Sequence, residues 1–134
     1  MKKEIYLQQK ILDFVRYCKT KKRGKDFISL GIISKKQALV FKEQFGIDLV
    51  GYERVLTLSG IRHVFNRHEN LTESDFLAIS LVIEFPDSVR LGNKPNSLLY
   101  RKDLDFCYFY VECVIHKRKK LELKTLYKRK RKTA

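Results

Sequence analysis

The segment Ile61-Arg62-His63-Val64-Phe65-Asn66-Arg67-His68 holds two of the chain's three histidines. On a helix, His63 and Arg67 stand at i and i+4 and share a face. That face also holds Gly60 and lies away from the stripe of Leu58, Ile61 and Phe65. Histidine gives or takes a proton near neutral pH, and arginine grips phosphate through two parallel hydrogen bonds. A base, an acid and a cationic donor are the set that cleaves RNA through its own 2′-hydroxyl without a metal. His68 falls about 140° round the helix from His63, on the apolar side near the helix end. A zinc pair on one helix wants i and i+4. The spacing therefore predicts no metal site, and no cofactor is expected. Either histidine also has a plain structural reading, as a packed side chain or a helix-end cation.

Thr125 is the next candidate. Simple alternation puts it on one strand face with Leu121, Leu123 and Tyr127. Its hydroxyl suits a phosphate oxygen, although threonine is also an ordinary strand former. Arg101, at the end of its own strand, is either a phosphate donor or a surface charge.

These groups need elements to hold them. Leu7, Ile11, Phe14, Val15 and Cys18 repeat at helical spacing and predict an amphipathic helix over 5–18. A basic connector follows to Lys25, and Phe27 to Ile33 reads as a strand. Ser34 with Gln37 opens a helix that Gly46 closes. Residues 49–57 read as a strand and 58–67 as a short helix. Thr72 with Asp75, bracketed by Leu71 and Phe76, starts a helix that runs to about Glu84 and stops before Pro86. Strands are predicted at 88–91, 97–101, 105–116 and 121–127. The expected fold is α+β, with N-terminal helices packed on a C-terminal twisted antiparallel sheet of about four strands. Residues 1–26 form a helix and connector, 27–127 the main domain, and 128–134 a basic tail predicted to be disordered when free. On the 105–116 strand, Phe106, Tyr108, Tyr110, Glu112, Val114 and His116 mix rings with polar groups. That face reads either as a surface for stacking exposed bases or as a half-buried face under a helix.

The 134 residues carry 29 Lys and Arg against 15 Asp and Glu, a formal net charge of +14. From His116 to the end there are ten Lys or Arg and one Glu, a net +9 of that total. Such a field draws polyanions, and nucleic acid, RNA above all, is the expected partner. Binding of that kind weakens steeply with salt. Lys119 in the basic 117–120 hairpin and Lys124 on the last strand are expected to meet phosphates. No apolar run is long enough to span a bilayer, and polar residues break any signal-peptide core near the N-terminus. No membrane partner is therefore predicted. Cys18, Cys107 and Cys113 are odd in number and form no CxxC pair, which points to reduced cysteines and a cytoplasmic protein. Two further readings compete with a ribonuclease. One is a non-enzymatic basic RNA- or DNA-binding protein; the other is a membrane- or partner-binding module built on helix 5–18.

The order of elements resembles a known family. Gly31-Ile32-Ile33-Ser34-Lys35-Lys36 is followed by Gly46-Ile47-Asp48-Leu49-Val50-Gly51-Tyr52, Ile61-Arg62-His63-Val64, and Arg67-His68. Leu71-Thr72-Glu73-Ser74-Asp75-Phe76, Phe85-Pro86-Asp87, Leu99-Tyr100-Arg101-Lys102 and Leu121-Glu122-Leu123-Lys124-Thr125-Leu126-Tyr127 complete the series. Together they resemble the phage-associated nuclease domains of the barnase–EndoU–colicin E5/D–RelE superfamily, over roughly residues 28–127. The resemblance implies a metal-independent endoribonuclease toxin acting in the bacterial cytosol, delivered within a phage or toxin system and acting on RNA, tRNA included. It implies an acidic immunity or antitoxin partner. It marks His63 and Thr125 as catalytic, with Arg67 and His68 beside them, and Tyr127 and Arg101 as further substrate-site residues.

Overall fold

The computed structural model describes residues 2–21 and 23–131. Helix α1 (Lys2–Thr20) precedes strand β1 (Phe27–Ile32), helix α2 (Lys35–Phe45), strand β2 (Glu53–Thr57) and helix α3 (Leu58–Arg67). Helices α4 (Glu73–Leu77) and α5 (Ile79–Glu84) follow, then strands β3 (Ser88–Leu91), β4 (Ser97–Asp103), β5 (Cys107–Ile115) and β6 (Lys120–Arg129).

The helix starts follow their local chemistry. The Ser34 hydroxyl accepts the Gln37 backbone N–H at 3.1 Å, and Gly46 ends α2 with φ 68°. Gln37 does not close the capping box: its side-chain oxygen accepts from Arg54 Nη1 at 3.4 Å, and its amide donates to the Ile83 carbonyl at 2.7 Å. Thr72 and Asp75 do form the full reciprocal box at α4. The single helix predicted from 72 to 84 is two short ones. At Ala78 the backbone N–H reaches the Asp75 carbonyl, a tightened turn that ends α4.

The sheet has six strands in the order β1-β2-β6-β5-β4-β3. This corrects the expected four-stranded antiparallel sheet. The four C-terminal strands do pair antiparallel, but β2 joins β6 in parallel, Glu53 to Lys120, Arg54 to Leu121 and Val55 to Glu122. β1 then adds antiparallel to β2. Both extra strands were legible as strands; their attachment was not, since nothing local announces a parallel pairing across some 65 residues of sequence.

One sheet face is buried. Leu98 and Tyr100 on β4, Tyr108, Tyr110, Glu112 and Val114 on β5, and Leu121, Leu123 and Leu126 on β6 all lie at or below 6% exposure. The opposite side chains, among them Leu99, Phe109, Val111, Cys113, Thr125 and Tyr127, stay partly exposed. The aromatic-polar face of β5 is thus the covered one, and not a surface for bases. Tyr108 donates to Asp75 at 2.6 Å and Tyr100 donates to Glu112, while the buried Tyr110 hydroxyl has no partner among the described residues. Ile11, Val15 and Cys18 of α1 are fully buried in the same core as α3, α4 and the sheet. Burial pushes the Cys18 thiol up to about 11, so it stays protonated and inert. The strand β6 runs two residues into the predicted tail, to Arg129; residues 132–134 lie outside the described residues.

Candidate active site

β2 turns into α3 without a loop. The Thr57 hydroxyl, at the end of the strand, accepts the Gly60 N–H at 3.0 Å and caps the helix. Gly60 then presses α3 onto β6: a Cβ there would lie 2.7 Å from the Leu123 carbonyl oxygen, closer than packed atoms approach. At the other end of the helix the His68 ring stacks on Tyr127, centroids 5.7 Å apart and planes 28° apart. Eight residues of helix rise about 12 Å, and the four strand residues from Leu123 to Tyr127 about 13 Å. Helix and strand therefore run side by side in one direction, and the middle of α3 comes level with Thr125.

Gly60 marks the helix side that meets β6. His63 and Val64 lie on the two flanks of that side, and Arg67 lies near its centre two turns on. Val64 is fully buried on the core flank. His63 sits on the other flank, half-buried, toward the partly exposed sheet face, and Arg67 is exposed. The shared face of His63, Arg67 and Gly60 expected from helical spacing is therefore the one turned to the strand.

Simple alternation misplaced Thr125. β5 and β6 pair Val111 with Thr125 but Glu112 with Leu123, so Lys124 is an extra residue in the ladder. This β-bulge shifts the alternation by one. Leu121, Leu123, Leu126 and Lys128 face the core; Glu122, Thr125 and Tyr127 face the other way, toward the His63 flank of α3. The Thr125 hydroxyl oxygen is shielded and makes no hydrogen bond within the described residues. Such an unpaired, shielded oxygen is uncommon in a folded chain; the Tyr110 hydroxyl and one Asp103 oxygen share that state among the described residues.

His68 is the C-terminal cap of α3, not a helix residue on the apolar stripe. Leaving the helix lets its ring turn onto Tyr127. Burial, and then the neighbouring His63 and Arg67 charges, hold His68 below the usual histidine value. Tyr127 stacks in turn on Phe109, centroids 4.8 Å apart and planes 14° apart. Arg101 stands opposite Phe109 on β4. Its Nε donates to Cys107 Sγ at 3.2 Å and its Nη2 to Asp103 at 3.4 Å, so much of its donor capacity is committed.

The structure sets His68 on Tyr127, with His63 and Arg67 near enough to His68 for their charges to act on it; Thr125 lies on the same sheet face as Tyr127, and Arg101 lies across that face. Lys124 is the exposed bulge residue beside them. Lys119 is elsewhere, in the turn that closes the β5–β6 hairpin with φ 50°, about 20 Å along the strand from Thr125. Phe109 and Arg129 belong to this face and were not singled out in sequence. Phe109 alternates with apolar neighbours on its strand face, and Arg129 was lost in a uniform basic run. Among the described residues, no three His, Cys, Asp or Glu side chains cluster as metal ligands, and no helix is long and apolar enough to cross a membrane.

Residues 31–134 match the model of the phage-Barnase-EndoU-ColicinE5/D-RelE like nuclease3 family. No curated protein and no solved structure gives a match. The family match takes in the whole α3–β6 site and leaves out α1. Covering well over half of the chain, it decides the assignment: the protein belongs to the phage-Barnase-EndoU-ColicinE5/D-RelE like nuclease family.

Proposed function

We propose that this nuclease is a metal-independent endoribonuclease toxin that cuts RNA, tRNA included, by attack of the 2′-hydroxyl on the adjacent phosphate. The observation that carries this reading is the meeting of α3 and β6: His68, with His63 and Arg67 near it, stacks on Tyr127, which shares a sheet face with the unbonded Thr125 hydroxyl. In the reaction a base takes the 2′-hydroxyl proton as the 2′-oxygen bonds to phosphorus. The bond from phosphorus to the 5′-oxygen breaks, and an acid protonates that oxygen. The products are a 2′,3′-cyclic phosphate and a 5′-hydroxyl. His68, held neutral at pH 7 by its surroundings, suits the base. His63 takes the acid role. Arg67 and the Thr125 hydroxyl stabilise the charge that builds on the phosphoryl oxygens. A cell that makes such a toxin needs an inhibitor, and the chain's charge calls for an acidic one.

Incubation with total RNA in EDTA tests the proposal. Cleavage that leaves cyclic phosphate ends is the expected result. Intact RNA at high protein concentration would overturn it, and RNA bound but uncut would favour the non-enzymatic RNA-binding alternative, which the net charge of +14 also accommodates.

The assignment of His68 carries its own pH signature. A base must be unprotonated in the free enzyme, so kcat/KM falls as pH drops through the His68 pKa. That pKa is depressed, so the acid limb lies below the ordinary histidine value of about 6.5. In His68→Gln the limb should vanish along with most of the rate. A wild-type limb above that value would assign the base elsewhere.

A further inference from the structure

The basic stretch at the end of β6 is not a uniform charge cloud. Lys128 faces the core side, where its ammonium donates to Asp75 at 2.8 Å and lies 4.2 Å from the Phe106 ring centroid. Arg131 donates to the Leu104 carbonyl at 3.1 Å. Arg129 alternates to the opposite face, opposite Cys107. Its guanidinium carbon sits 5.5 Å from the ring centroids of both Phe109 and Tyr127. Arg129 is exposed, and among the described residues no carboxylate pairs with it. Two rings thus hold the group in place while its N–H donors remain free.

We infer that Arg129 is a phosphate-binding residue of the substrate-facing sheet surface, and that the substrate is a single-stranded RNA segment lying along β6. This rests on the ribonuclease reading and extends it. A guanidinium fixed against rings and open to solvent is arranged for bidentate contact with an anion. Arg129 lies four residues beyond Thr125, about 13 Å along the strand. Its guanidinium reaches back over the Tyr127 ring, so a phosphate held there and the one cut beside Thr125 belong to one strand lying along β6. An extended single strand suits a groove that combines cations with aromatic side chains. One of the rings that position Arg129, Tyr127, also stacks on His68, so binding and chemistry share one support.

The test is fluorescence anisotropy of a labelled single-stranded RNA decamer over a range of salt concentrations, on the full chain. Lys36→Ala is the control: Lys36 is exposed on α2 and loses the same unit charge far from the sheet face. Arg129→Ala should weaken binding about tenfold and lower the salt slope by about one; Lys36→Ala should weaken it less than about twofold. Arg129→Gln, which keeps the stem on the rings, should lose as much as Arg129→Ala. Equal losses in Arg129→Ala and Lys36→Ala, or full rescue by Gln, would overturn the inference. A decamer held through Arg129 but never cut would remove the cleavage proposal and keep this one. Efficient cutting with no special role for Arg129 would do the reverse.

Discussion

His63→Ala is expected to lower RNA cleavage by about 10²- to 10⁴-fold, the share of rate that a positioned acid or base supplies. The fold should survive the change. His63 is half-buried on the outer flank of α3 and makes no hydrogen bond to another described side chain. The helix is held by its other residues: buried Leu58, Ile61 and Val64, and the close contact of Gly60 with Leu123. Loss of stability should therefore stay within about 1 kcal/mol. The measurement pairs initial cleavage rates with a thermal melt of the same sample. A variant that melts as wild type and still cuts at more than about a tenth of the wild-type rate would remove His63 from the chemistry. A variant that loses activity and structure together would mark His63 as a packing residue.

The largest expected effect on stability comes from the buried pair beneath the sheet. Glu112 is fully buried and Arg54 is 5% exposed. Arg54 donates to Glu112 through Nε at 2.9 Å and through Nη2 at 3.2 Å, while Nη2 also donates to Tyr100 at 3.1 Å. Burial alone would lower the arginine's pKa, but Glu112 beside it more than reverses that, and the guanidinium stays charged. Glu112→Ala removes the counter-charge and leaves a cation stranded in the core. The expected cost is about 3–5 kcal/mol, a large part of the roughly 5–15 kcal/mol that holds an ordinary domain together. Urea denaturation should show the midpoint fall accordingly. The double variant Arg54→Met, Glu112→Leu should recover most of the loss, because the desolvation penalty goes with both charges. A cost below about 1 kcal/mol for Glu112→Ala would mean that Arg54 escapes to water, and that the pair does not tie β2 to β5.

That pair also shows why the sequence was only partly legible. Helix boundaries were readable because their causes are local. Ser34, Gly46 and Thr72 each act within a few residues, and each does what its type implies. The face shared by His63 and Arg67 was readable for the same reason. Which side of β5 is covered was not. The alternation left open whether Tyr108, Tyr110 and Glu112 face bases or the core, and only the arrival of Arg54 and Asp75 from distant parts of the chain makes the burial of Glu112 and Tyr108 tolerable. The attachment of β1 and β2 to the edge of β6 depends on the same kind of long-range meeting. His68 was misplaced because a regular helix was extended one residue too far, and Arg129 was missed because composition cannot separate a paired cation from a free one. Within the candidate site, then, the face shared by His63 and Arg67 follows from helical spacing, while the side on which Thr125 stands depends on the bulge.

The extra residue at Lys124 gives β6 two reading frames. Before it, the core side chains are Leu121 and Leu123; after it, Leu126 and Lys128. The written pattern is a leucine spacing of two followed by a spacing of three. Within an otherwise alternating strand, that skipped beat reports a frame change, and the hydroxyl residue caught in the longer gap is the one handed to the opposite face. In related chains the same irregular rhythm, more than any particular side chain, would locate the strand position turned away from the core.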